Sequence, residues 1–439
     1  MVDDLENMVI RFDYESTAGI DRAVLESYKN NPELARVTEH IIHARTQYDS
    51  SYAFVASVFD EDILQLCRSV QQQNSNTSPL VIVVGIGGSS LGAKAIYMAL
   101  NQCSLDDRLI FLETVDSDEY EHVFSQIKHA HACGRSVVGI FITKSGTTLE
   151  TLVNGSALIE VLQDLYGSRY VDHLFVITDQ TSPLATWGKK IGCSVVSIPM
   201  QVGGRFSVFT AVGLVPLALA GVSVDTFVAG ARVFFETLHN GACLADPLVS
   251  AALLYEQYKQ GFYVHDTFLF SKNLEDLGKW YRQLLGESIG KEHDRQGKRV
   301  NVGFIPTVSI GTQDLHSVVQ VYLAGPPVTF TTFVTVVRSH NQKIITCDNE
   351  FAKSAVHVHG KSYDFVRDCL LKGTQKAYTH YQRPFATVIF PEISAYTLGQ
   401  YMAFKMCEIV YLSALLNIDP FDQPHVESYK KAAREFMGT

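Results

Sequence analysis

The chain carries no Cys-x-x-Cys pair and no His-Glu-x-x-His motif, and none of its apolar runs is long enough to cross a bilayer. Its eight cysteines (67, 103, 133, 193, 243, 347, 369 and 407) stand far apart. That dispersal excludes a zinc ribbon or a disulfide scaffold and fits a reducing compartment, with most thiols buried as small apolar groups. Basic residues are also scarce. Lys and Arg number 36 against 46 Asp and Glu, a net charge of −10, so no broad basic surface exists to hold nucleic acid. An anionic ligand must be caught by a local site. The acidic start, Met1 to Glu6, lacks the basic and apolar regions of a signal peptide, so a cytoplasmic location is expected.

What is present is an ordinary folded composition, with 46% hydrophobic residues over 439 positions and room for two or three domains. Residues 1 to about 60 read as a helical arm without a catalytic grouping. From Leu80 to Ile198 short apolar runs alternate with helical patterns, which predicts a mainly parallel sheet covered on both faces. A second such series follows, without a close repeat of the first. The expected division is 1–60, 61–200, 201–418 and 419–439.

Two glycine- and hydroxyl-rich loops end strands of the first series. The apolar run from Ser136 to Ile142 stops at Thr143, Lys144, Ser145, Gly146, Thr147 and Thr148, before helical spacing resumes at Leu149. Free N–H groups at a helix start, flanked by hydroxyls, suit a phosphate. A capping box from Thr147 to Glu150 is the plainer alternative. The strand Leu80–Val84 runs into Gly85, Gly87, Gly88 and Ser89. The dinucleotide fingerprint lacks its third glycine here, so a nicotinamide site is the weaker reading. Right-handed crossovers would set both loops at the carboxyl edge of one sheet.

Further along, Arg205 lies between Gly-Gly and Phe206, where it serves either a ligand or a structural ion pair. Glu287 is bracketed by Gly286 and Gly290 and reads as a loop residue past a helix over 274–285. A solvated carboxylate is its plainer reading. A helix starting near Asp314 would put His316 in its first turn, for chemistry or for packing. The final helix, from Val426, follows a rigid turn and carries Lys430 and Lys431.

Taken together, the ordered segments Val84–Gly92, Thr143–Thr151, Val202–Leu214, Gly286–Lys291, Thr312–Ser317 and Asn417–Lys431 resemble the glucose-6-phosphate isomerases, in their shorter bacterial form. The resemblance covers about residue 78 to the end. It implies two SIS-type α/β/α domains, a homodimer, and no metal or cofactor. It also implies interconversion of glucose 6-phosphate and fructose 6-phosphate. Position by position, it assigns Ser89, Thr143, Ser145 and Thr148 to the phosphate, with Gly88 and Lys144 lending backbone. Glu287 becomes the base between C1 and C2, and Arg205 faces the enediolate. His316, supplied by the partner subunit, and Lys430 open the sugar ring, while Gln283 and Gln423 position the substrate. His425 stands where the family pattern has glycine. An isomerase that also accepts mannose 6-phosphate, or a non-catalytic sugar-phosphate-binding regulator, are the alternatives. A regulator should lack the base and its companions, which are all present.

Overall fold

The computed structural model describes residues 8–46, 48, 50–74, 78–101, 107–347 and 350–438. Its strands are β1 (Arg11–Asp13), β2 (Leu80–Val84), β3 (Leu109–Leu112), β4 (Val137–Ile142), β5 (Leu174–Thr178), β6 (Ser194–Ser197), β7 (Val264–Leu269), β8 (Lys291–His293), β9 (Arg299–Val302), β10 (Ile305–Ile310), β11 (Thr329–Arg338) and β12 (Phe385–Glu392). They form two five-stranded sheets and a small antiparallel ribbon of β8 and β9.

The first sheet has the order β3-β2-β4-β5-β6, and every pairing in it is parallel. Strands β2, β3 and β4 are nearly continuous apolar runs because both faces are covered, whereas the edge strand β6 is only partly buried. Val81, Val83, Ile140 and Ile142 pack on one side, and Ile82, Val84, Phe141 and Val176 on the other. The chain leaves β2 for β3 on one flank, then crosses to β4 on the other. This reversal opens a crevice beyond the carboxyl ends of β2 and β4, where Val84 and Phe141 are paired in register.

The second sheet has the order β1-β12-β11-β7-β10. It is parallel except for β1, which lies antiparallel on β12. The amino-terminal segment expected to be helical thus contributes an edge strand as well. Three residues are too few for a helical period to betray, and β12 supplies the partner. The helices Pro32–His43 and Ala53–Ala56 do follow in this segment. The helix Ala395–Leu415 is buried along nearly its whole length and packs against Val224–His239, Pro247–Lys259 and Glu275–Ile289. A helix apolar on nearly every side has to be interior. The fold is therefore α/β with two mainly parallel sheets, as expected.

Among the described residues, no helix is long and apolar enough to cross a membrane.

Candidate active site

The crevice between β2 and β4 is the floor of a cleft of about 770 Å³, a volume suited to a small molecule. On one side stands the turn Gly87–Ser89. Gly87 has φ +62°, which favours glycine. Gly88 lies so near the next segment that a Cβ there would fall 2.2 Å from the carbonyl carbon of Gly204. Only glycine lets these two backbones touch.

On the other side stands the loop after β4. Thr143 Oγ1 is 2.7 Å from Thr148 Oγ1 and 3.4 Å from Ser145 Oγ, and the Thr147 N–H donates to Ser145 Oγ at 3.2 Å. The helix Leu149–Tyr166 starts here. Its N-cap is Thr148, whose side chain makes no capping bond, so the Thr147–Glu150 capping box is not formed. The Lys144 ammonium turns away from the loop and donates to the carbonyls of Met200 and Val202, the latter at 3.0 Å. Burial lowers its pKa.

Glu287 corrects the expectation of a loop. The helix Glu275–Ile289 continues through Gly286, and Glu287 lies in its last turn. Gly286 weakens a helix by roughly 1 kcal/mol, but Leu284, Leu285, Ser288 and Ile289 bury around it and carry the helix on to Gly290. That extra turn sets Glu287 one turn beyond Gln283 on the same face. Gln283 Nε2 donates to Glu287 Oε1 at 3.0 Å, and the Lys291 ammonium donates to the Glu287 carbonyl at 3.1 Å.

Arg205 is buried, and its guanidinium is used completely. Nε donates to Ser288 Oγ at 2.7 Å. Nη1 donates to Glu287 Oε2 at 3.2 Å and to Gln423 Oε1, and Nη2 donates to the carbonyls of Pro420 and Asp422. Five donors meet five acceptors. Burial pulls its pKa below the ordinary guanidinium value, against the opposing pull of Glu287. The structural and functional readings of Arg205 are therefore joined in one residue. It ties the carboxylate to the turn that carries Gln423.

Lys291 assists that tie, donating to Asp422 Oδ1 at 2.7 Å and to the Asp422 carbonyl. Ser288, Lys291 and Asp422 belong to the matched segments, but nothing in their spacing marks them as anchors of the site.

The cleft gathers Gly88, Ser89, Thr143, Lys144, Ser145, Thr148, Arg205, Gln283, Glu287, Gln423 and Lys430 along its walls. Lys430 is bonded to Glu427 at 2.7 Å. His316 is not among the lining residues. It lies on a short turn, Gln313–His316, that follows β10, and the next helix begins only at Val319. His425 has φ −71°, a conformation open to any residue, and its Nε2 lies 2.8 Å from Glu292 Oε2. The departure from glycine thus needs no special backbone. Among the described residues, no group of three or more His, Cys, Asp or Glu is placed to hold a metal ion.

This arrangement puts a phosphate-sized cradle of hydroxyls and a helix start in one cleft with a half-exposed carboxylate fixed by an arginine and an amide. Such a pairing can anchor a sugar phosphate at one end and move a proton at the other.

Comparison with known proteins accords with this. Residues 61–438 match the family described as phosphoglucose isomerase. A glucose-6-phosphate isomerase of Carboxydothermus hydrogenoformans is 33% identical over 389 residues, covering 86% of this chain and 83% of that protein. One from Thermus thermophilus is 28% identical over 428 residues, covering 97% and 99%. Among solved structures, a Thermus thermophilus protein described as hypothetical aligns with TM-score 0.86 at 28% identity, over 98% of this chain and 100% of that one. A glucose-6-phosphate isomerase from Chlamydia trachomatis shares the fold, with TM-score 0.82 at 22% identity, over 98% and 88%.

Proposed function

This chain belongs to the phosphoglucose isomerase family, and on that premise we propose that its cleft interconverts glucose 6-phosphate and fructose 6-phosphate through an enediolate, with Glu287 as the proton carrier. The observation that carries the assignment is the position of Glu287. It is the carboxylate of the cleft held by both an arginine and an amide, and it lines the same cleft as the hydroxyl loop.

Aldose-ketose isomerisation removes a proton from one carbon and returns it to the neighbouring one. One carboxylate within reach of both carbons suffices. Ser89, Thr143, Ser145 and Thr148, with the backbone N–H groups of Gly88 and Lys144, receive the phosphate. The phosphate is remote from the reacting carbons, so its binding energy serves orientation. Arg205 supplies a fixed positive charge beside the developing enediolate. Because all five of its donors are engaged, it reaches the substrate by exchanging the Gln423 bond. Gln283 and Gln423 orient the hydroxyls of the sugar.

Hexose phosphates are mainly cyclic, so an acid and a base must first open the ring, and Lys430 and His316 take that role. His316 stands outside the cleft of its own chain, which favours a homodimer in which each site borrows it from the partner. A cytoplasmic location fits a substrate of this kind.

The test is a coupled assay with fructose 6-phosphate in the presence of a metal chelator, on the wild type and on Glu287→Gln. The substitution lowers kcat by about 10²–10⁴ while sugar-phosphate binding persists. Near-normal turnover in the variant would remove Glu287 from the mechanism.

A further inference from the structure

The second sheet holds a buried carboxyl that the reaction as described does not use. Asp266 lies on β7 and is wholly shielded from solvent. Its Oδ1 accepts three hydroxyl bonds, from Thr307 at 2.7 Å, Ser309 at 2.9 Å and Tyr322 at 3.1 Å. Its Oδ2 has no hydrogen-bond partner among the described residues.

The three donors come from two places. Thr307 and Ser309 are on β10, and Tyr322 is on the helix Val319–Ala324. Between those two elements runs the turn Gln313–His316. One oxygen atom thus fastens the strand that enters the turn and the helix that leaves it. A second carboxyl closes the turn from within, since Asp314 accepts from the Ile310 N–H at 2.7 Å and from Ser317 Oγ.

We propose that Asp266 is a positioning residue for His316, clamping both limbs of the strand-turn-helix unit that presents the histidine. The proposal rests on the reading that His316 acts on the sugar ring.

An ionised carboxyl is the better clamp, because three hydroxyl donors favour the charged form and the protonated form offers its proton to no acceptor. Burial opposes ionisation and raises Asp266 to about 6, with Asp314 adding to the rise and the three hydroxyls working against it. The titratable groups that face it are Asp314 from the turn, Tyr322 from the following helix, and Tyr378 from the helix Tyr363–His380, with Arg383 beyond. His265, the preceding residue, points to the opposite face of the sheet, toward Tyr281 and Lys405.

The experiment is a double-mutant cycle on full-length protein, with kcat and KM for fructose 6-phosphate measured across the acid range. Asp266→Asn is expected to lower kcat by on the order of tenfold to hundredfold, as slight misplacement of an acting group does, with little change in KM. In a His316→Ala background the same substitution should change the residual rate by less than about twofold, because the two residues act through one element. Tyr322→Phe should give a smaller loss and move the acid limb of kcat to higher pH, since removing a donor destabilises the carboxylate. Should Asp266→Asn fail to fold, Tyr322→Phe carries the cycle.

An equal loss with and without His316 would overturn the proposal and leave Asp266 a packing residue. A His316→Ala enzyme with undiminished kcat would instead refute the role of His316, and the positioning claim with it.

Discussion

Arg205 Nη1 lies 3.2 Å from Glu287 Oε2 and also donates to Gln423, so one nitrogen joins the carboxylate of the cleft to the turn before the last helix. The guanidinium is rigid and forked, and a lysine cannot reproduce its directions. Arg205→Lys leaves Ser288 Oγ and the Pro420 carbonyl without this donor, at roughly 1–3 kcal/mol for each buried acceptor, while the Asp422 carbonyl keeps Lys291. We expect a lower melting temperature together with a loss in kcat of about 10²–10³. Thermal denaturation and steady-state kinetics on one preparation check both. A variant that melts early but turns over normally would confine Arg205 to a structural role.

The hydroxyl loop should govern binding and leave the chemistry alone. Ser145→Ala with Thr148→Ala removes two donors to a charged oxygen, each worth about 1.5–3 kcal/mol. Inhibition by inorganic phosphate is the direct readout, and it should weaken by at least two orders of magnitude, on the scale of about 1.4 kcal/mol per tenfold. Equal inhibition of both proteins would place the phosphate elsewhere.

The borrowed histidine predicts recovery on mixing. Glu287→Gln and His316→Ala are each crippled when alone. In a mixed dimer with exchange across the interface, one site receives both lesions and the other receives an intact Glu287 and an intact His316. Activity then returns at one good site per mixed dimer, once mass spectrometry has shown that mixed dimers form. If mixed dimers form and no activity returns, His316 works within its own chain.

His265 and Asp266 offer a test of stability against pH. Burial drives the first down to about 3 and the second up to about 6. Between about pH 4 and 6 the folded chain holds a proton on Asp266 that the unfolded chain has released, so this residue makes stability fall as pH rises. Over the same range the unfolded chain holds a proton on His265 that the folded chain has released, so stability rises with pH. The two slopes, each about 1.4 kcal/mol per pH unit, oppose and largely cancel. Asp266→Asn removes one of them. Denaturant titrations of the variant should show stability climbing with pH through this window, more steeply than the wild type. Parallel curves would mean that Asp266 does not titrate there.

Much of this protein is written locally. The apolar run ending at Ile142 and the hydroxyls from Thr143 to Thr148 state a strand, a loop and a helix start, because hydrogen bonding and side-chain periodicity are short-range properties. The crevice between β2 and β4 follows from strand order and handedness, and the six ordered segments carry the family. The extra helical turn that bears Glu287 was not legible, since Gly286 signals a stop and only the burial of Leu284, Leu285 and Ile289 overrides it. Nor was the edge strand Arg11–Asp13, which exists because β12 leaves a row of hydrogen-bonding groups unpaired. Arg205 shows the same limit most sharply. Its five acceptors come from Ser288, Glu287, Pro420, Asp422 and Gln423, 82 positions away at the nearest. The sequence by itself determined which groups were available for the chemistry. Only the tertiary structure decided which of them meet, because contacts between distant segments depend on how whole elements pack and leave no period in the chain.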